Sequence, residues 1–157
     1  MSLARELNLR KGFATAGHEA LLNIYFTAAC LKKHAASFLE PLGLTDVQLN
    51  LMMLLRYQPA PGEGLSQADL SDMMLVNRPN ITSLIDRMER AGLVQRTAVT
   101  DRRFNIIKLT RKGRSLLDRV EPRYAGEVSR LISVLSEPDQ KRLIRLLETI
   151  RRPLRGG

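Results

Sequence analysis

Apolar positions recur with two different periods along this chain, and the change of period locates its elements. Leu21, Leu22, Ile24, Tyr25, Ala28, Ala29 and Leu31 fall at roughly helical spacing, predicting a long helix over 14–38 that ends at Pro41-Leu42-Gly43. Thr45 and Gln48 then have the spacing of a capping box, in which a hydroxyl and an amide satisfy free N–H groups at a helix start. The helix they open carries Leu49, Leu51, Met52, Leu54 and Leu55 and stops at Pro59-Ala60-Pro61-Gly62. Ser66 with Asp69 offers a second cap, weaker because aspartate is shorter than the usual Glu or Gln, for a short helix over 67–74. A hinge follows at Leu75-Val76-Asn77. Asn77 is a good N-cap, and Pro79 suits the first turn, where its missing N–H costs nothing. The next helix turns Ile81, Leu84, Ile85 and Met88 inward and runs to about Ala91, with Gly92 as its left-handed stop.

Beyond Gly92 the pattern becomes that of strands. Residues 93–98 and 104–109, rich in β-branched side chains, read as a hairpin whose tip is the polar segment Val99-Thr100-Asp101-Arg102-Arg103. Thr110 caps another long helix with Leu116, Leu117, Val120, Tyr124, Val128, Leu131 and Leu135 on one side. Ser136-Glu137-Pro138 starts a last one with Leu143, Leu146, Leu147 and Ile150. The predicted fold is mainly α with a small β-hairpin wing. It is a winged helix-turn-helix flanked by long N- and C-terminal helices, in one domain spanning 1–157.

Composition narrows the function. With 44% hydrophobic residues the 157-residue chain can bury a core, no run reaches the roughly 18 apolar residues that span a bilayer, and the start has no signal-peptide pattern. One cysteine, Cys30, precludes an internal disulfide and fits a reducing compartment, so a cytoplasmic protein is expected. The net charge is +9, and Arg78 to Arg123, with twelve Lys/Arg against five Asp/Glu, supplies +7 of it. That concentration is the electrostatic footprint of a polyanion binder.

Geometry gives the polyanion a form. A helix 10–12 Å across matches a major groove about 12 Å wide. Burying the apolar face of the helix from Asn77 exposes Arg78, Pro79, Asn80, Thr82, Ser83, Asp86 and Arg87. Arg78, Asn80, Thr82 and Ser83 lie in its first two turns, where such helices meet base edges, and arginine pairs with guanine as asparagine does with adenine. A solvated helix face would favour Glu and Lys over these short hydrogen-bonding side chains. At the hairpin tip, Arg102 and Arg103 suit a narrow minor groove, and Asp101 suits a carboxylate that orients Arg87 or Arg103.

The segments Leu65-Ser66-Gln67-Ala68-Asp69-Leu70, Gly92-Leu93-Val94, Asp101-Arg102-Arg103 and Leu109-Thr110-Arg111-Lys112-Gly113 resemble the DNA-binding core of the multiple-antibiotic-resistance regulator (MarR) family. The long first helix, Leu42-Gly43-Leu44-Thr45 and the two C-terminal helices extend the resemblance over nearly the whole chain. It implies a winged-helix core over about 45–110 between dimerisation helices over about 14–44 and 111–157. It also implies that the helix from Asn77 reads the major groove while Arg103 reaches the minor groove. By the same resemblance, the protein is a ligand-responsive repressor released by a small, often aromatic or phenolic, effector entering between the dimerisation and DNA-binding regions. Independently of the family, terminal helices with long apolar stripes need partners: a second copy, or the chain's own core. A two-fold homodimer would recognise a pseudo-palindrome with half-sites about one turn (10–10.5 bp) apart.

Other chemistry finds little support. Cys30 and His34 are four apart on a helix, yet only His18 and no carboxylate cluster could complete a metal site, so no metal is expected and the pair reads as a buried cysteine and an ordinary histidine. In the peroxide-responsive branch of the family the reactive cysteine lies nearer the first helix's start, where this chain has Leu21, so the resemblance does not carry redox sensing to Cys30. Met52, Met53, Met73, Met74 and Met88 read as core filler. Without a phosphate loop, nucleophile elbow or zinc-hydrolase motif, an enzyme is not expected. The seven Phe and Tyr fall mostly at core-like positions rather than forming the stacking surface of a single-strand RNA binder. The alternative to a DNA-binding regulator is a winged-helix protein-interaction module, which would have no use for paired arginines at a wing tip.

Overall fold

A computed structural model describes residues 2–59, 63–75, 77–98 and 105–155. In chain order it has α1 (Leu3–Glu6), α2 (Ala16–Leu39), α3 (Asp46–Tyr57), β1 (Leu65–Ser66), α4 (Gln67–Met74), α5 (Arg78–Arg90), β2 (Val94–Ala98), β3 (Asn105–Leu109), α6 (Arg111–Ile132) and α7 (Glu137–Arg151). Mostly helical with one small antiparallel sheet, this is the predicted fold class. The chain divides into two compact units, 1–113 and 114–157. No described helix is long and apolar enough to cross a membrane.

In the first unit α2, α3, α4 and α5 each begin where a side chain caps them. Thr45 accepts from the Gln48 N–H at 3.3 Å, while the Gln48 amide oxygen accepts from the Thr45 N–H at 2.9 Å. Ser66 and Asp69 make the same reciprocal pair at 3.0 and 3.1 Å, so the shorter aspartate closes the box as fully as glutamine does. Asn77 accepts from the Asn80 N–H at 3.2 Å, and Pro79 sits in the first turn of α5. Four inward residues of α5 (Ile81, Leu84, Ile85 and Met88) are buried with Leu39, Leu51, Met52, Leu70, Val94 and Ile107 in one apolar core.

The sheet has a strand that the apolar pattern does not announce. β1 is two residues long and pairs antiparallel with β3, Leu65 opposite Ile107 and Ser66 opposite Ile106; the strand order is β1-β3-β2. β2 and β3 run from the Val94–Leu109 pair to the Ala98–Asn105 pair. Gly64, just before β1, lets the chain approach this closely, because a Cβ there would lie 2.4 Å from the Ile107 carbonyl oxygen.

The turn between α4 and α5 is made without glycine. Leu75 adopts φ +52°, ψ +42°, a left-handed conformation that costs a leucine roughly 1–2 kcal/mol. Its side chain is 73% exposed, so burial returns little of that cost. Leu75→Gly is therefore expected to raise the thermal midpoint by a few degrees, the shift that roughly 1 kcal/mol produces in a protein this size. An unchanged or lower midpoint in a melting curve would show that the leucine makes contacts worth its backbone strain.

In the second unit, α7 starts at Ser136, whose hydroxyl accepts from the Asp139 N–H at 3.4 Å and donates to the Asp139 carboxylate at 2.5 Å. Gln140 closes the preceding turn by donating to the Leu135 carbonyl at 3.0 Å. Exposed apolar side chains are frequent here (Val128, Ile132, Leu143, Ile144, Leu146 and Ile150), as they are on α2 (Leu21, Tyr25, Phe26 and Leu31).

Three sequence expectations need correction. Cys30 is exposed, not buried, because α2 buries only Leu39. Met73 is exposed rather than core filler. Tyr25, Phe26 and Tyr57 are exposed, with Phe13, Phe38 and Tyr124 half-buried, so the aromatic residues described are not core residues.

Candidate nucleic-acid interface

Because α5 packs through Ile81, Leu84, Ile85 and Met88, its opposite face is fixed by helical geometry. Arg78, Pro79, Asn80, Thr82, Ser83 and Arg87 are all exposed on it. The side chains of Arg78, Ser83 and Arg87 have no partner among the described residues, leaving two guanidinium groups uncommitted on one face.

Asp86 does not belong with them. It is half-buried and, with Glu89, grips the guanidinium of Arg96 on β2. Glu89 also accepts from the Arg96 backbone N–H at 2.9 Å, so the C-terminal half of α5 is pinned to the wing strand by side chain and main chain together. Burial works against the Arg96 charge, but the hydrogen bonds and fields of the two carboxylates outweigh it and raise its pKa above an already high ordinary value. Arg96 is thus a structural arginine. The signal that could have singled it out is its place on a strand one short turn after a helix ending in Asp86 and Glu89.

The end of α5 closes in a Schellman motif. Gly92, at φ +71°, donates to the Glu89 carbonyl at 2.8 Å and Leu93 donates to Met88 at 2.9 Å. Two side chains from the start of α6 take up carbonyls left over at that end. The Thr110 hydroxyl donates to the Gly92 carbonyl at 2.6 Å and accepts from the Gly113 N–H at 3.0 Å, while Lys112 Nζ donates to the Ala91 carbonyl at 2.8 Å. The recognition-type helix is therefore held at both ends, by Asn77 at one and by Thr110 and Lys112 at the other.

Thr82 is exposed but not idle. Its hydroxyl donates to the Arg78 carbonyl at 2.9 Å and accepts from Gln67 Nε2, at the start of α4, at 3.2 Å. Gln67 was not among the sequence-derived site residues. Asp101, Arg102 and Arg103, together with the pairing of Asp101 to Arg87 or Arg103, lie outside the described residues. No group of three or more His, Cys, Asp or Glu side chains is placed to hold a metal ion among the described residues.

A capped short helix, a tight turn, a second helix with a basic polar face and a small sheet behind it define a winged helix-turn-helix protein. A sequence model of the MarR family matches residues 42–103. The HTH-type transcriptional repressor Rv2887 of Mycobacterium tuberculosis is 30% identical over 128 residues, which cover 81% of this chain and 89% of that protein. AbsC, a MarR family transcriptional regulator from Streptomyces coelicolor, superposes with a TM-score of 0.83 at 25% identity, covering 94% of this chain and 100% of AbsC. The transcriptional regulator MosR of M. tuberculosis, solved in complex with DNA, gives 0.70 at 26% identity over 87% of this chain and 98% of MosR. The chain belongs to the MarR family of transcriptional regulators.

Proposed function

We propose that this protein is a sequence-specific, double-stranded-DNA-binding transcription regulator acting as a homodimer on a pseudo-palindromic operator, with repression as its mode. The observation that carries the reading is the exposed face of α5, where uncommitted Arg78 and Arg87 flank Asn80, Thr82 and Ser83. Phosphates and base edges take unpaired guanidinium groups directly. Rv2887, named a transcriptional repressor, and MosR, solved with DNA, support the same assignment. Within it, residues 45–110 form the DNA-binding core, and Arg102 and Arg103 at the wing reach the minor groove, with Asp101 orienting Arg87 or Arg103.

Dimerisation through 14–44 and 111–157 is supported by the apolar side chains left exposed on α2, α6 and α7, which a second copy would cover. Release by a small aromatic or phenolic effector is carried by the family resemblance alone.

Salt titration tests the interface. Each phosphate contact contributes about 0.9 to the slope of log affinity against log salt. Arg78→Ala and Arg103→Ala are each expected to lower that slope by about one where the arginine neutralises a phosphate, whereas Asn80→Ala should relax base preference more than it weakens binding. Unchanged affinity and slope in a gel-shift titration would remove the substituted arginine from the interface. A binding-site selection in which the wild-type protein enriches no sequence would sink the whole reading.

A further inference from the structure

The hydrogen bond between Gln67 and Thr82 joins the first residue of α4, half-buried, to an exposed residue in the second turn of α5. A threonine hydroxyl has one proton to give and two lone pairs to accept with. Here the proton goes to the Arg78 carbonyl at 2.9 Å, a group that can only accept, so the amide of Gln67 must be the donor in the 3.2 Å contact. One lone pair is thereby filled. What Thr82 has left to present outward is a single acceptor position and its methyl group.

Gln67 is itself firmly placed. It follows Ser66, whose backbone pairs with Ile106 of β3 and whose N–H is held by the Asp69 carboxylate at 3.0 Å. The two-residue strand β1 and the capping box therefore fix where the amide starts, and the amide fixes how the hydroxyl of Thr82 points.

We propose that Gln67 is a positioning residue for base recognition: through its hydrogen bond it holds the Thr82 hydroxyl as an acceptor, selecting a base that offers an exocyclic amine in the major groove. Adenine N6 and cytosine N4 are the donors available there, and guanine presents only acceptors on the same edge. The inference rests on the DNA-binding reading above and adds to it a residue outside the recognition helix and a chemical preference at one operator position.

The test is a double-mutant cycle on the full-length protein. An operator is first obtained by selection from random duplexes with the wild type, and every base pair of one half-site is then varied. Gln67→Ala should weaken binding about fivefold, the factor that one net hydrogen bond represents. The loss should fall at one base pair, where tolerance extends from adenine or cytosine to guanine because the freed hydroxyl can now donate outward. Thr82→Val should flatten the preference at that same base pair. Adding Gln67→Ala to Thr82→Val should cost nothing further, while adding it to Thr82→Ser, which keeps the hydroxyl, should still cost about fivefold.

Additive losses in the valine background, or a Gln67→Ala variant that weakens all operator variants alike, would overturn the proposal while leaving DNA binding intact. A wild-type protein that enriches no duplex overturns the DNA-binding reading, and this inference with it. Melting temperatures of all variants within a degree or two of wild type are expected, since Thr82 is exposed and Gln67 only half-buried; a larger drop in Gln67→Ala would assign the amide to fold stability instead.

Discussion

Gly113→Ala is expected to destabilise the protein by about 2 kcal/mol or more, although it replaces a helical glycine with the best helix former. Propensity alone gives the opposite sign, since alanine in a helix is worth up to about 1 kcal/mol over glycine. Packing reverses it here. A Cβ on Gly113 would lie 2.1 Å from the Leu93 carbonyl oxygen and 3.0 Å from its carbon, both backbone atoms that cannot rotate away. Any shift that relieves this contact also pulls at Thr110, which accepts from the Gly113 N–H while donating to the Gly92 carbonyl. The latch between α6 and the end of α5 would loosen with it. Chemical denaturation reads the effect as a lower midpoint, and a variant as stable as wild type would mean that α6 can start elsewhere at no cost.

Arg96→Met is the second large effect, and it separates the two kinds of arginine in the basic segment. Methionine keeps the length and apolar stem of the side chain but removes the guanidinium that Asp86 and Glu89 share. Charged hydrogen bonds run to roughly 1.5–3 kcal/mol each, but both carboxylates are still partly open to water, so solvent screening brings the combined loss down to about 1–2 kcal/mol. The two carboxylates are then left facing each other's charge at the C-terminal half of α5, beside the surface proposed to meet phosphates. DNA affinity should fall with stability, yet the salt slope should stay at its wild-type value, because Arg96 is spent inside the protein. Arg78→Ala has the converse signature, a lower slope at unchanged stability. A lowered salt slope for Arg96→Met, measured by anisotropy across a salt series, would place Arg96 at the DNA instead.

Much of the fold is legible in the sequence because its signals are local. Helix caps at Thr45, Ser66, Asn77 and Ser136 depend on side chains within three residues, so spacing suffices to find them. The inward face of α5 and the stop at Gly92 follow from helical period and from the one residue that takes a left-handed conformation freely. The exposed set Arg78, Pro79, Asn80, Thr82, Ser83 and Arg87 was legible for the same reason: once the buried face is known, the opposite face is known.

What tertiary structure alone decided involves partners distant in sequence. β1 is too short to carry a strand pattern and exists because β3 pairs with it some forty residues later. Asp86 looks like its exposed neighbours on α5, and only the arrival of Arg96 from β2 removes it from the surface set. Gln67 and Thr82 are fifteen residues apart and meet because α4 and α5 cross. The glycines at 64 and 113 are required by carbonyl oxygens of β3 and of the turn before β2, which no local pattern reveals. Local free energies select each element and its buried side, while which polar groups are left for a ligand depends on contacts that form only when the elements pack.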